Sequence, residues 1–257
     1  MPHDKIVICM KWGTLYSGAY VNILFNACRA NISGNFTFVC LTDDPSGLDP
    51  AIVHHPIPDL NLEPFHWKKG GWPKLAVFAK DFFGLSGRAL FIDLDTVICQ
   101  SLDDFFTYEA DKMVAIDTGP TWGVKTQSGQ PLAGTGIFAF DLGKYSAILD
   151  EFMDHRDTVV ADTRIEQIFV QSRVPDMAFW PKDWVLSFKY HLRRPALTGL
   201  FVSPRQPTPK ERVIAFHGEP RPIDLVDGGL WGIGPNWGYG KVKWMTEYWA
   251  KYSGEQG

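Results

Sequence analysis

Two aspartates that end a strongly apolar run are the residues best suited to do chemistry in this sequence. Asp93 and Asp95 lie in RALFIDLDTVI, residues 88–98, a run that predicts a buried strand. A turn after Asp93 would bring both carboxylates to one point, where they repel each other unless a cation lies between them. Mg²⁺ and Mn²⁺ prefer such oxygen ligands. The pattern favours a divalent-metal site over the alternative, in which the aspartates only end a strand and begin a turn.

A histidine and an arginine late in the chain could complete such a site. His217 follows the apolar run VIAF and precedes Gly218, and an imidazole at a strand end could supply a third metal ligand. Arg221 stands between Pro220 and Pro222, in a stiff turn from which a guanidinium could bind a diphosphate through two hydrogen bonds. Taken alone, each is better explained as an ordinary turn residue. The functional interpretation depends on the two occurring together.

The elements that would position these residues alternate between strands and helices. Apolar runs predict strands at residues 5–10, 36–41, 51–57, 88–98, 113–117, 136–141 and 213–217. Helical patterns cover residues 16–30, 73–83, 144–155, 165–172 and 241–252. This alternation predicts an α/β fold with a mostly parallel central sheet and helices on both faces. Ligands bind beyond the carboxyl ends of such strands, and four polar clusters would share that edge: Lys11-Trp12-Gly13, Thr42-Asp43, Asp93-Leu94-Asp95 and His217-Gly218.

Composition indicates a globular chain and limits the classes of partner that it could bind. The 257 residues are 45% hydrophobic and 21% charged, and we expect residues 1–257 to form one domain on which an aromatic tail, 223–257, packs. A net charge of −4 argues against nucleic acid as a partner. The four cysteines form no C-x-x-C pair and are expected to be buried, reduced thiols. Without a signal-like or membrane-spanning run, the sequence predicts a cytoplasmic protein.

The order of these motifs resembles the GT-A-fold glycosyltransferases, in particular the glycogenin-like and bacterial lipopolysaccharide galactosyl- and glucosyltransferase group. The shared features are an aromatic loop after the first strand, the D-x-D strand, a glycine-containing strand start and the late turn at residues 217–222. The resemblance implies a Rossmann-like GT-A domain. It also implies an enzyme that uses Mn²⁺ or Mg²⁺ to move a hexosyl or N-acetylhexosaminyl group. The donor would be a nucleotide-diphosphate sugar, above all a UDP-sugar. The acceptor would be a saccharide or lipid-linked molecule in bacterial surface polysaccharide synthesis.

The resemblance further implies a role for each matching residue. Asp93, Asp95 and His217 would hold the metal, and Glu166 with Gln167 would join the two aspartates in the catalytic set. The donor would be bound by Met10, Lys11, Trp12, Tyr16, Thr42, Asp43, Lys74, Gly134, Thr135, Gly136, Gly218 and Arg221. The chain departs from the family where Ala-Gly-Thr-Gly replaces Asn-Ser-Gly, Glu-Gln replaces Asp-Gln and Arg221 replaces a lysine. The donor sugar and the stereochemistry of transfer therefore stay open.

Three further segments support hypotheses of their own. Asp117, Glu166 and Asp141 are candidates for the acceptor side, each with a purely structural alternative. The loop 61–72, rich in Trp and Gly, could cover the donor as a lid or be an ordinary surface loop. Residues 241–252 mix aromatic and basic side chains, which fits a peripheral contact with the inner face of a membrane or, more simply, a packed helix.

Two other classes of function stay open. The run Asp93-Leu94-Asp95-Thr96-Val97 also matches the nucleophile motif of haloacid-dehalogenase-like phosphatases, in which Asp93 would attack phosphorus. Against that hypothesis, several strands precede the motif and no later G-D-x-x-x-D follows it. A non-catalytic, sugar-binding relic would keep the fold but would be expected to lose its metal ligands first. The sequence therefore favours the transferase.

Overall fold

The fold is that of a computed structural model, which describes residues 5–119, 122 and 129–254. The first strands are β1 (Lys5–Lys11), β2 (Phe36–Thr42), β3 (Val53–His55), β4 (Arg88–Ile92), β5 (Thr96–Ile98) and β6 (Val114–Asp117). They are followed by β7 (Ala133–Asp141), β8 (Ala178–Phe179), β9 (Val185–Ser187), β10 (Val213–Ala215), β11 (Leu230–Trp231) and β12 (Gly238–Tyr239). The α-helices are α1 (Gly18–Asn31), α2 (Asp103–Thr107), α3 (Ser146–Thr163), α4 (Glu166–Arg173), α5 (Pro222–Asp227) and α6 (Lys243–Tyr252). Shorter helical turns are the 3₁₀ segments Trp72–Phe78 and Ala196–Leu200 and the π-helical segment Phe188–Leu192.

Among the described residues, seven strands form the central sheet in the order β3-β2-β1-β4-β7-β6-β8. β2 and β4 run parallel to β1, β3 runs parallel to β2, and β8 runs parallel to β6. β7 is antiparallel to both of its neighbours, β4 and β6. The predicted α/β fold with a mostly parallel sheet is confirmed. Because β7 runs in the opposite direction, its amino end lies beside the carboxyl end of β4.

The segment predicted as one strand, residues 88–98, is two strands in different sheets. β4 ends at Ile92, and β5 pairs antiparallel with β10 in a second sheet ordered β5-β10-β9. The turn between them is fixed at both ends: Asp93 N donates to Gly136 O at 2.8 Å, and Phe216 N donates to Asp95 O at 3.0 Å. The prediction that His217 ends a strand of the central sheet is therefore wrong. His217 instead follows β10 of the second sheet, and the pairing of β10 with β5 brings it to the same cavity wall as Asp93.

Several predicted boundaries also change. The helix predicted after Pro73 is the 3₁₀ segment Trp72–Phe78, and the helix predicted at 144–155 extends to Thr163. The strand predicted at 136–141 begins at Ala133, because Ala133 and Gly134 pair with β6. In the segment before Ala133, residues 120, 121 and 123–128 lie outside the described part of the chain.

Helices cover both faces of the central sheet. On one face, Val7 and Cys9 of β1 share a hydrophobic cluster with α1, α2 and Tyr252 of α6. On the other face, Ile6 and Ile8 share a cluster with the 3₁₀ segment Trp72–Phe78, α3 and α4. This division follows the alternation of side chains along β1. Three cysteines are buried, at positions 9, 28 and 40, and all four are free thiols.

The C-terminal helix α6 is a packed helix. Met245 and Tyr252 are buried, Asn26 Nδ2 donates to Tyr252 O at 2.9 Å, and Ile98 N donates to the hydroxyl of Tyr248 at 3.2 Å. The aromatic residues that suggested a membrane contact at 241–252 therefore serve largely to hold α6 against α1 and β5. Within the described ranges, none of the helices has the length and apolarity that crossing a bilayer needs.

Replacing Tyr248 with phenylalanine is expected to destabilise the fold by about 1–2 kcal/mol, because the partly buried Ile98 N–H loses its acceptor. Urea unfolding measures the change. The matched control is Tyr239→Phe, whose side chain is exposed and whose substitution should leave the midpoint unchanged. Equal midpoints for Tyr248→Phe and the unmodified chain would show that water replaces the lost bond at no cost.

Candidate active site

Two adjoining cavities are lined by both Lys74 and Asp93. The large cavity has a volume of about 800 Å³ and is lined by the predicted residues Met10, Trp12, Tyr16, Asp43, Lys74, Asp93 and Asp95. The small cavity has a volume of about 400 Å³ and is lined by Lys74, Asp93, Thr135, Gly136, Glu166, Gln167 and His217. The structure thus brings most of the predicted site residues to one composite site, with the Lys74–Asp93 pair at the junction.

The wall of the large cavity is aromatic. Trp12, in the segment between β1 and α1, donates through Nε1 to Trp67 O at 2.9 Å, and the two indole rings meet edge to face at 6.3 Å. Trp67 and Lys68 belong to the loop 61–72 and line the same cavity. The loop that could act as a lid is therefore attached to the cavity wall. Flat aromatic faces of this kind can stack on a planar ring.

Lys74 neutralises one of the two aspartates. Its ammonium lies 2.7 Å from Asp93 Oδ2 and also donates to Thr135 O at 3.1 Å. Burial lowers the pKa of Lys74, but attraction to Asp93 and Glu166 outweighs that effect and leaves the pKa above its usual value. Lys74 is therefore a permanent cation that fixes the Asp93 carboxylate at the junction of the cavities.

Asp95 is the aspartate that lacks such a cation. Tyr16 donates its hydroxyl to Asp95 Oδ2 at 3.3 Å, and Tyr16 packs on Tyr20 with ring centres 4.8 Å apart. Burial and the neighbouring Asp93 charge raise the pKa of Asp95 to about 7. A carboxylate held in this way gains stability from any cation placed beside it.

Glu166 forms part of the wall of the small cavity. It begins α4, its backbone N donates to Gly70 O at 2.8 Å, and its side chain is only 3% exposed. Oε2 accepts from the Thr135 hydroxyl at 3.1 Å, whereas Oε1 is buried with no hydrogen-bond partner among the described groups. Burial raises the pKa of Glu166 to about 7 despite the attraction of Lys74. This carboxyl can therefore both take up and release a proton near neutral pH.

His217 is held as a neutral imidazole. Its Nε2 lies 2.7 Å from Ser187 Oγ, and its ring stacks with Trp122 and Tyr190, each at 5.5 Å. Burial, with the charges of Lys189 and Arg193, lowers the pKa of His217 to about 4. A neutral imidazole is the form that binds a metal.

The donor set fits a divalent cation, although the described residues contain no compact group of three or more His, Cys, Asp or Glu side chains. Asp95 offers a buried oxygen ligand whose pKa is raised by burial and by the neighbouring Asp93 charge. His217 offers a neutral nitrogen, and Asp93 could add a second oxygen beside Lys74. Oxygen ligands with one imidazole suit Mn²⁺ and Mg²⁺.

Six predicted residues lie outside the walls of the two cavities, and one of them, Asp117, lines a third cavity. Lys11 Nζ and Thr42 Oγ1 both donate to Asp44 O, each at 3.0 Å, so these side chains fix a turn. Gly218 has a φ of +70°, and Arg221 N donates to Asp224 Oδ2 at the start of α5. Asp141 is an incorrect candidate for the acceptor side: it pairs with Arg88 at 3.5 Å, at the amino end of β4, because β7 is antiparallel.

The sequence alone did not identify three residues of the site. Trp122 and Tyr190 line the small cavity, and Lys189 lies close enough to His217 and Asp95 for their charges to interact. A Cβ on Gly218 would lie 3.4 Å from Lys189 Nζ. Lys189 and Tyr190 belong to a π-helical turn, whose side-chain directions no ordinary helical period predicts. The available signal was the run Lys189-Tyr190-His191 directly after an apolar strand.

Comparison with known proteins rests on structure alone, since no protein-family profile and no curated sequence matches the chain. The galactosyltransferase LgtC, solved with donor and acceptor sugar analogues, is 13% identical with a TM-score of 0.57, over 96% of each chain. The bifunctional glycosyltransferase WbbM in its apo form is 12% identical with a TM-score of 0.55, over 86% of this chain and 47% of WbbM. An active-site mutant of LgtC gives 11% identity and a TM-score of 0.54, over 84% and 89% of the two chains.

The likeness to LgtC extends over nearly the whole chain, so it concerns the central sheet and the second sheet together. At such low identity these likenesses establish the arrangement of elements and nothing finer. The resemblance inferred from the motifs is confirmed at that level. The chain has the GT-A fold of these glycosyltransferases.

Proposed function

We propose that the chain is a metal-dependent glycosyltransferase that moves a hexosyl or N-acetylhexosaminyl group from a nucleoside-diphosphate sugar to a saccharide or lipid-linked acceptor. The observation that carries this proposal is the Asp93–Asp95 turn at the junction of two cavities. One cavity has largely aromatic walls, and the wall of the other includes the polar side chains Glu166, Gln167 and His217. LgtC, which shares the fold, was solved with donor and acceptor sugar analogues, and that supports two substrates meeting at such a junction.

The large cavity suits the nucleoside. Its volume of about 800 Å³ lies in the range of ordinary ligand pockets. Trp12, Trp67 and Tyr16 offer flat faces for a base and ribose, and Asp43 can accept hydrogen bonds from ring or sugar donors. The diphosphate would then extend toward Asp93 and Asp95. Uridine is the proposed base, from the family resemblance.

The junction suits the diphosphate and the departing charge. A divalent cation held by Asp95, Asp93 and His217 would neutralise charge on the leaving diphosphate. Lys189 and Arg193, which lie near His217, add fixed positive charge there. Lys74 holds the Asp93 carboxylate in place and favours its ionised form against the effect of burial, which raises the pKa of Asp93. The chain therefore stabilises the leaving group mainly by electrostatics that exist before the reaction.

The small cavity suits the sugar that is transferred. Glu166 and Gln167 can bind sugar hydroxyls, and the Glu166 carboxyl can hold or release a proton at Oε1. Beyond Trp122 lies a third cavity of about 250 Å³, lined by Asp117, Trp180, Lys182, Asp183 and His191, among other residues. Aromatic side chains present flat apolar faces and carboxylates beside them accept hydrogen bonds from hydroxyls, so we assign this third cavity to the acceptor, with Asp117, a predicted acceptor-side residue, in its wall.

The same geometry gives less support to the two alternative functions, a phosphatase and a non-catalytic sugar-binding protein. A phosphatase of the haloacid-dehalogenase type would use Asp93 alone for attack and would need neither a nucleoside cavity nor the second sheet. A relic that binds sugar without catalysis would not need Asp95 with its raised pKa or the cation cluster near His217. A cytoplasmic location fits donors made inside the cell and remains part of the proposal.

Calorimetric titration of UDP, GDP and CDP, with and without Mn²⁺, tests the donor assignment. We expect Mn²⁺-dependent binding of UDP, and we expect Trp67→Ala to weaken it about tenfold or more through lost stacking. The matched control is Trp237→Ala, since Trp237 lines neither cavity. No heat from any nucleotide under any condition would overturn the proposal, and a phosphatase assay would follow.

A further inference from the structure

The structure carries an exposed apolar surface that no part of the proposed reaction uses. Six of its side chains are Leu197, Phe201, Leu230, Ile233, Trp237 and Tyr239, which we call the apolar ridge. Phe201 is 87% exposed, Tyr239 67% and Leu230 64%. Single exposed apolar residues are ordinary, whereas a contiguous group indicates a surface that contacts a partner.

The two segments that form the ridge are packed together. Gly199 lies so close to the second segment that a Cβ there would be 2.4 Å from Trp237 O. Ala196 N donates to Asn236 Oδ1 at 3.0 Å, and Trp231, which is buried beneath, donates through Nε1 to Gly240 O at 3.0 Å. The ridge is therefore a fixed part of the fold.

The two chain segments that form the ridge carry basic side chains and no acidic ones, although Arg205 pairs with Glu211 and Lys243 with Glu247 just beyond the segments. Residues 184–210 contain five Lys or Arg and no Asp or Glu, and residues 228–246 contain two Lys and no acid, in a chain of net charge −4. Arg194, whose Nε donates to Ser203 O at 3.0 Å, lies at one end of the ridge segment, and Lys241 follows the other. Apolar and aromatic side chains bordered by basic ones are complementary to an anionic bilayer surface.

The ridge follows the active site closely along the chain. Tyr190 lines the small cavity and is 51% exposed, and only four residues separate it from Pro195, which leads into Leu197. We infer that the apolar ridge docks the protein on an anionic lipid surface with the small cavity facing the headgroups. This docking does not depend on the proposed function. The further idea that docking presents a lipid-linked acceptor to the active site does rest on the proposed function.

Sedimentation of the full chain with vesicles tests the inference. We expect binding to vesicles of equimolar phosphatidylcholine and phosphatidylglycerol and little binding to phosphatidylcholine alone. Phe201→Ser with Ile233→Ser should weaken binding at least about tenfold. Arg194→Gln with Lys241→Gln should weaken it about twentyfold, with the salt dependence reduced. The matched control, Met153→Ser with Ile168→Ser, changes two exposed apolar residues of α3 and α4 outside the ridge and should bind as the unmodified chain does.

Nucleotide titration of every variant separates this inference from the proposed function. If the protein binds vesicles but has no affinity for UDP, the proposed transferase function is overturned and the assignment of the ridge still holds. Failure to bind either vesicle, or equal binding by the ridge variant and the control, overturns the inference. Self-association in sedimentation velocity that only the ridge substitutions abolish, with no vesicle binding, would show that the ridge contacts a second copy of the chain instead.

Discussion

Replacing Asp95 with asparagine is expected to lower Mn²⁺-dependent UDP binding and sugar transfer by at least about a hundredfold. The substitution keeps the shape of the side chain and an acceptor for the Tyr16 hydroxyl, so it removes the negative charge alone. Lys74 cannot compensate, because its ammonium is held by Asp93. Calorimetry with UDP and Mn²⁺, together with hydrolysis of a UDP-sugar, measures the change.

Measuring the stability of Asp95→Asn distinguishes the loss of a metal ligand from a loss of folding. The pKa of Asp95 is raised to about 7 by burial and by Asp93, so the ionised carboxylate is costly in the metal-free protein, and asparagine should unfold at the same urea concentration or a higher one. Asp176→Asn changes an exposed aspartate and serves as the control. If Asp95→Asn bound UDP within threefold of the unmodified chain in Mn²⁺, Asp95 would not belong to the site.

The D-x-D turn shows how far sequence can predict this site. A five-residue apolar strand, Arg88–Ile92, had to be buried, and a carboxylate directly after it had to lie at the edge of the sheet. Trp12, Asp43 and Asp95 follow from the same rule applied to three parallel strands. All three line the large cavity, because parallel strands bring their carboxyl ends together.

The second sheet shows where that rule stops. β5, β9 and β10 have three residues each, too few for a period to show which sheet they join. His217 reaches the site because β10 pairs with β5, directly after the aspartate turn, a contact between residues more than a hundred positions apart. Lys189 and Tyr190 depend on the π-helical turn at Phe188–Leu192. Local residue patterns predict neither the pairing of β10 with β5 nor the π-helical turn.

Glu166→Gln is expected to stabilise the protein at about pH 8 by about 1–3 kcal/mol. The pKa of Glu166 rises from 4.5 to about 7 in the folded chain because the carboxyl is buried. The folded state therefore holds a proton that the unfolded state releases, and this group's contribution to stability falls as pH rises between those two values. Above about pH 7 the full cost is present, and below about pH 4.5 it is absent. Urea unfolding at about pH 5 and pH 8 should show a smaller pH dependence for the variant.

The same substitution should lower sugar transfer by about a hundredfold while UDP affinity stays within threefold, because Glu166 lines the small cavity and not the large one. A glutamine keeps a hydrogen-bonding group toward Thr135 but cannot take up a proton at Oε1. Glu247→Gln, on the exposed side of α6 with 62% of its side chain accessible, is the control for both measurements. Full activity in Glu166→Gln would leave this glutamate a purely structural group, and a loss of activity with a loss of stability would show that its charge is needed to hold Lys74 and Thr135 in place.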